Sequence, residues 1–126
     1  EVPYGSQGKS RIDILLSDEK KKPCYIEIKN TSMRVGAHAA FPDAVTERGK
    51  KHLDELITLV QEGKRAAMFF FVGRSDCTHF RAAKEIDPTY AKRLSEAVQH
   101  GVEIFAYQMN VSPVGVQVRA SLPIDL

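Results

Sequence analysis

The chain has 126 residues, of which 43% are hydrophobic and 27% are charged, a composition typical of a globular domain and unlike that of a disordered chain. Lys and Arg number 18 against 16 Asp and Glu, so the net charge is only +2, and it is spread evenly along the sequence. This balance excludes a nucleic-acid binder that relies on a strong overall positive field, and any such site must be a local patch or a metal site. No apolar run approaches the roughly 18 residues of a membrane helix, so we expect no membrane segment.

The two cysteines point to no metal or redox motif. Cys24 and Cys77 do not form a CxxC pair, which excludes a zinc knuckle and a thioredoxin-type motif. Cys24 opens an apolar segment, and we expect a buried, reduced thiol, which fits a cytoplasmic protein. We expect residues 1–126 to form one domain. Because the sequence begins with Glu1 and not with Met, we also expect a processed or excerpted chain.

Alternation of apolar and polar residues predicts an antiparallel hairpin near the start of the chain. Residues 10–17 and 24–30 have the period of half-buried strands. The polar run 18–23 between them is typical of a turn. Residues 31–41 are predicted to form a loop.

A helix is predicted over residues 42–62. Pro42 suits the first turn of a helix, and Asp43 places a negative charge near the positive end of the helix dipole. Gly63 is a favoured residue just after a helix end. The residues that form an apolar stripe at helical spacing are Val45, Gly49, Leu53, Leu56, Ile57 and Val60.

The second half of the chain supplies further strands and another helix. Residues 65–72 have the length of a buried strand, so the order strand, helix, strand predicts a right-handed βαβ crossover. Asp87 caps a helix over residues 88–100, and strands are predicted over residues 102–107 and 115–121. The predicted fold is α/β, with a mixed central sheet, an antiparallel hairpin, a βαβ crossover and flanking helices.

The hairpin collects the residues that best suit catalysis. Asp13, Glu27 and Lys29 point away from its apolar face, and pairing centred on the turn places Asp13 opposite Glu27 to within about one pair. Two close carboxylates favour a hard cation such as Mg²⁺ or Mn²⁺, with the backbone carbonyl of Ile28 as a natural third ligand. Lys29 would orient or deprotonate a water, or meet the negative charge that develops on a phosphodiester. The alternative is an exposed sheet face with ordinary cross-strand charge pairs.

The predicted helix adds cationic side chains beside this face. Arg48, His52 and Glu55 line up next to the apolar stripe at about 100° per residue. Arg48 and His52 can then reach the edge of the hairpin, where a cationic pair suits a scissile phosphate. The alternative is a helix flank with ion pairs from Glu47 to Lys51 and from Lys51 to Glu55.

Several segments of the sequence resemble the sugar fermentation stimulation protein A family. The most specific is the run Phe-Pro-Asp-Ala-Val-Thr-Glu-Arg-Gly over residues 41–49, and the resemblance covers essentially the whole chain. The other similar segments are residues 4–13, 24–29, 51–53, 86–91, 101–107 and 121–123. The resemblance implies a C-terminal, restriction-endonuclease-like domain of the PD-(D/E)XK type. It also implies an N-terminal OB-like domain in family members, which this sequence does not include.

The same resemblance implies a site and a function. Asp13 matches the aspartate of the motif, and Glu27 and Lys29 match its (D/E)XK part. The residues that we expect to contact DNA phosphates or to support the metal ligands are Arg11, Arg48, His52, Asp43 and Thr46. The implied function is DNA binding without strong sequence specificity, with Mg²⁺- or Mn²⁺-dependent phosphodiester cleavage as a weaker implication.

Three functions stay open at this point. The chain could be a Mg²⁺-dependent deoxyribonuclease, a non-enzymatic DNA-binding regulator of maltose metabolism, or an interaction module on a retained nuclease scaffold. The expected partners are DNA and the OB-like domain, and a homodimer is a further candidate. The strandedness of the DNA and the mode of cleavage are not determined by the sequence.

Overall fold

The computed structural model describes the backbone of residues 2–4, 10–12, 14–18 and 21–126, and the side chains from residue 23 onward. Its strands are β1 (Val2–Tyr4), β2 (Ser10–Ile12), β3 (Ile14–Asp18), β4 (Lys21–Thr31), β5 (Met33–Val35), β6 (His38–Phe41), β7 (Arg65–Val72), β8 (His79–Ala82), β9 (Glu103–Ser112), β10 (Gly115–Ser121) and β11 (Ile124–Asp125). Its helices are α1 (Glu47–Gln61) and α2 (Pro88–Gln99).

The largest sheet has five strands in the order β10–β9–β7–β4–β3. Strands β4, β7 and β9 run parallel to one another, whereas β3 and β10 pair antiparallel at the two edges. A four-stranded sheet has the order β11–β8–β6–β5, and β1 pairs with β2. The predicted α/β class, with a mixed central sheet and an antiparallel hairpin formed by β3 and β4, is confirmed.

The core lies between the two larger sheets and the helices. Helix α1 follows β4 and precedes the parallel strand β7, which confirms the predicted βαβ crossover, and it packs against β7 and α2. Leu53 and Leu56 of α1 are fully buried there, and burial of each contributes about 1.5–3 kcal/mol. Phe70 of β7 stacks on Phe80 of β8, with ring centroids 4.3 Å apart, so the two sheets share one core.

The predicted start of the first helix is wrong. Helix α1 begins at Glu47 and not near residue 42, because Thr46 caps it. The Thr46 hydroxyl accepts a hydrogen bond from the backbone N–H of Gly49 at 2.9 Å. Val45 therefore precedes the helix and is 64% exposed, so it is not part of the buried stripe.

The predicted loop over residues 31–41 contains β5 and β6. Strand β6 pairs with β8, far along the chain, and short strands with remote partners carry little local signal. The strand predicted over 102–107 continues to Ser112, because β10 extends the pairing. The helix predicted over 88–100 is confirmed as α2, with Asp87 as its cap, and the strand predicted last is confirmed as β10.

Both cysteines are buried free thiols, as expected for Cys24. Burial raises the pKa of each thiol, so both stay protonated at neutral pH. Within the described ranges, no helix has the length and apolar character needed to cross a membrane.

Candidate functional site

The candidate site lies on the face of β4 that α1 covers. Glu27 and Lys29 alternate along β4, so their side chains point to the same side of the sheet. Across the parallel pairing with β7, Glu27 lies opposite Met68 and Lys29 lies opposite Phe70. Met68 and Phe70 are fully buried, and Glu27 is only 3% exposed. Glu27 and Lys29 therefore lie at the margin of the core and not on an open sheet face.

His52 of α1 completes a cluster with this pair. Lys29 Nζ lies 3.0 Å from Glu27 Oε1, and His52 Nδ1 lies 2.9 Å from the same oxygen. Lys29 Nζ and His52 Nδ1 are 2.8 Å apart. The two contacts of Nδ1 require opposite tautomers: Nδ1–H donates to the Glu27 carboxylate, which only accepts, whereas a bare Nδ1 accepts from the Lys29 ammonium, which only donates. His52 therefore contacts the polar face of β4, whereas the cationic pair of Arg48 and His52 at a phosphate stays a prediction.

Glu27 is held in its ionised form. Burial alone would raise the pKa of this carboxyl, but hydrogen bonds from His52 and Lys29 outweigh burial and hold the pKa below its ordinary value. The second oxygen, Oε2, is buried and has no hydrogen-bond partner among the described residues. Since buried carboxylate oxygens are normally paired, Oε2 is available to a ligand that brings positive charge or a donor.

The donors present fit a divalent cation in part. Carboxylate oxygen is the ligand that Mg²⁺, Mn²⁺ and Ca²⁺ prefer, and Glu27 Oε2 supplies one such oxygen. Among residues whose side chains are described, no three of the types His, Cys, Asp and Glu come together as a metal site. The predicted second carboxylate, Asp13, lies outside the described residues. In the described part of the hairpin, Ile14 pairs with Ile26.

Gly49 allows α1 and α2 to approach each other closely. Gly49 lies one turn before His52, and a Cβ at this position would come within 3.1 Å of Tyr90 Cε2 and 2.7 Å of Thr46 Cγ2. The glycine therefore lets the ring of Tyr90, on α2, pack directly against α1. The Tyr90 hydroxyl is buried without a hydrogen-bond partner in the described part of the chain. Burial, with Glu27 and Asp87 nearby, raises its pKa, so it stays protonated.

Asp87 joins the beginnings of both helices. Its Oδ1 accepts the backbone N–H of Tyr90 at 3.0 Å, and its Oδ2 accepts the backbone N–H of Thr46 at 3.0 Å. Lys50 Nζ lies 3.6 Å from Oδ1. Burial would raise the pKa of Asp87, but these donors outweigh burial and lower it. The sequence predicts only the capping of α2, because the contact with Thr46 joins residues that are far apart in the chain.

The remaining predicted residues lie on α1, on β4 or in the segment before α1, or have side chains outside the described part. Arg48 is exposed on α1, and Asp43 is exposed in the segment before it. Arg11 belongs to β2, but its side chain lies outside the described part. Ile28 is half-buried in β4, opposite Phe69. Phosphate contacts by the two arginines and metal binding by the Ile28 carbonyl stay predictions.

The flank of α1 differs from the predicted ion pairs. Lys50 Nζ, and not Lys51, bonds Glu47 Oε1, at 2.7 Å. Lys51 is exposed, and Glu55 is half-exposed. Among the cationic residues of α1, Lys50 therefore faces Asp87, whereas Arg48 and Lys51 face solvent.

The chain is similar to a known protein family and to a solved structure. The family model described as the sugar fermentation stimulation protein RE domain matches residues 1–115. A solved structure of SfsA from Pyrococcus furiosus in complex with Ca²⁺ is similar to the chain, with a TM-score of 0.88 and 33% sequence identity. That similarity covers 98% of this chain and 52% of the Pyrococcus chain. The present chain thus spans about half the length of this relative.

Proposed function

The chain belongs to the sugar fermentation stimulation protein family, and from this premise we propose that it binds DNA at the Glu27 face of β4 and hydrolyses a phosphodiester there with a divalent cation. The observation that carries the proposal is the buried, ionised Glu27, whose Oε2 has no partner among the described residues. Lys29 lies beside it, 3.0 Å from the other oxygen. A buried carboxylate with a perturbed pKa and a specific charged partner is a feature that active sites share with structural ion pairs, and the unpartnered Oε2 favours the active site.

The proposed ligands are Asp13, Glu27 Oε2 and the backbone carbonyl of Ile28. Such oxygen donors suit Mg²⁺ or Mn²⁺, and the relative from Pyrococcus furiosus, a complex with Ca²⁺, supports a hard divalent cation in this family. When bound, the cation would make a water more acidic and offset the charge that develops on the phosphate.

The chain's own residues have separate roles in the proposal. Lys29 holds the attacking water in place, or meets the negative charge that develops on the phosphate, because its side chain is more exposed than those of Glu27 and His52. His52 is a positioning residue: its Nδ1 lies 2.9 Å from Glu27 Oε1 and helps to hold the carboxylate in place, which leaves Oε2 for the cation. Arg48 and Arg11 would bind flanking phosphates.

DNA affinity in this proposal depends on a local patch, since the net charge is only +2. Neutralisation of phosphates by a few cations releases counterions, so the affinity should fall as salt rises. A family member that binds DNA but does not cleave it would be the non-enzymatic regulator that the sequence left open.

The test is a cleavage assay on linear, circular and single-stranded DNA with Mg²⁺ or Mn²⁺. It compares the wild-type chain with Lys29→Ala and with the matched control Lys51→Ala, whose lysine is exposed on α1. We expect cleavage to be lost in Lys29→Ala while DNA binding is retained, and both to persist in Lys51→Ala. Equal cleavage in all three proteins would contradict the role of Lys29. Salt-dependent binding without cleavage would overturn the hydrolytic part, and no binding would overturn the proposal.

A further inference from the structure

The outer hairpin of the five-stranded sheet exposes valines. Along the end of β9 and the start of β10, Val111 is 64% exposed, Val116 is 56% exposed and Val118 is 62% exposed. Val114, in the turn between the two strands, is 94% exposed. Contiguous exposed apolar side chains of this kind mark an interaction surface more often than isolated ones do.

The register places Val111, Val116 and Val118 on one face, together with Met109. Val116 lies opposite Val111, and Val118 lies opposite Met109, so the four side chains form a two-by-two group across the β9–β10 pair. We call Met109, Val111, Val116 and Val118 the valine patch. The patch lies at the end of the sheet that is farthest from Glu27 in strand order, so it is separate from the candidate site.

Strand β10 is also an edge. It pairs with β9 on one side, and no other described strand pairs with it. An edge strand of this kind presents backbone N–H and C=O groups that can pair with another strand. The pairing of β10 with β9 is regular from Gly115 to Val118, and a register shift follows between Val118 and Ala120.

The charge pattern limits what such a strand can pair with. From Ile104 to Val118 the sequence has no charged side chain, although 27% of the whole chain is charged. A DNA partner would need cations here, and a charged protein segment would need opposite charges. An uncharged surface meets no like-charge repulsion when it faces a copy of itself, which is the requirement for a twofold contact.

We propose that β10 pairs antiparallel with β10 of a second copy of the chain, about a twofold axis through Gln117. Val116 then lies opposite the partner's Val118, and Val118 lies opposite the partner's Val116, on the same face of the joined sheet. Gln117 lies opposite the partner's Gln117, and two amides can bond each other. Arg119 lies beyond the regular segment, so no like charges face each other across the axis.

Sedimentation equilibrium of the 126-residue chain over a wide range of protein concentration tests this pairing. The wild type should shift from the monomer mass to twice that mass, and no further, because a twofold contact closes on itself. The double variant Val116→Lys, Val118→Lys should bind itself at least about tenfold more weakly, because lysines then face lysines across the axis. Val114→Lys is the matched control, since this valine is outside the paired segment, and it should dimerise like the wild type.

Three results would overturn the proposal: a wild type that stays monomeric at every concentration, growth beyond the dimer, or a double-lysine variant that dimerises like the wild type. Far-UV circular dichroism should show that all variants are folded, because each changed side chain is exposed. None of these results depends on DNA or on metal, so the dimer proposal and the proposed function fail or stand separately.

Discussion

Substitution of Asp87 by Ala should destabilise the protein strongly, because one buried carboxylate serves two helices. Asp87 is only 2% exposed, and it accepts one hydrogen bond from Tyr90 N and one from Thr46 N, each 3.0 Å long. The first bond caps α2. The second ties the cap of α1 to α2 and so helps to hold His52 beside Glu27.

The magnitude follows from these two bonds. Loss of a helix N-cap costs about 1 kcal/mol. The half-buried N–H of Thr46 would also lose its acceptor, which costs about 1–3 kcal/mol. The free energy of unfolding should therefore fall by about 3 kcal/mol. For a domain of this size, that corresponds to a decrease of about 10 °C in Tm.

Urea unfolding at neutral pH, followed by circular dichroism, measures this change. Asp87→Asn keeps one acceptor oxygen and should lose about half as much stability. Asp43→Ala is the matched control, since this aspartate is exposed before α1, and it should stay within about 0.5 kcal/mol of the wild type. If Asp87→Ala unfolds within about 0.5 kcal/mol of the wild type, Asp87 does not join the two helices as argued.

Three further predictions concern the same helix pair. The stability difference between wild type and Asp87→Ala should be full at pH 7 and should shrink below about pH 4. The reason is that a carboxyl whose pKa is lowered by folding loses its stabilising effect as pH falls through the folded pKa. Urea midpoints measured across this pH range test this, and a constant difference would contradict it. Gly49→Ala should lower Tm although Ala is the better helix former, since the new methyl group would meet Thr46 and the Tyr90 ring; an increase in Tm would contradict this contact. Tyr90→Phe should leave the free energy of unfolding unchanged or raise it by about 1 kcal/mol, because it removes a buried hydroxyl without a described partner; a loss of more than about 1 kcal/mol would mean that the hydroxyl is bonded.

The main elements of the candidate site could be predicted from local periodicity. Alternation along residues 24–30 places Glu27 and Lys29 on one face, and helical spacing places His52 beside the apolar stripe. The spacings of two residues in a strand and 3.6 residues in a helix are set by backbone geometry, so the faces that they predict are the faces found in the folded protein. The burial of Glu27 could not be predicted from this pattern, because a strand with polar residues on one face is usually exposed on that face. Here α1 covers the polar face instead.

The contacts between remote segments could not be predicted in the same way. Thr46 is a good helix cap by local rules, but Pro42 and Asp43 suit a helix start equally well, so the sequence does not show which of the two starts the helix uses. The hydrogen bond from Thr46 to Asp87 depends on how α1 packs against α2, and no local pattern records that packing. Strand β8 is short and has its partners β6 and β11 elsewhere in the chain, so it gave no signal.

The most direct test of the central claim is calorimetric titration of Mn²⁺ and of Ca²⁺ into wild type, Glu27→Gln and Glu55→Gln. Glu27→Gln keeps the shape of the side chain but removes the charge beside the unpartnered Oε2. Glu55, half-exposed on α1, is the matched control. We predict binding by the wild type and by Glu55→Gln, and at least about tenfold weaker binding by Glu27→Gln. Equal binding by wild type and Glu27→Gln, or no binding by the wild type, would contradict a cation site at Glu27.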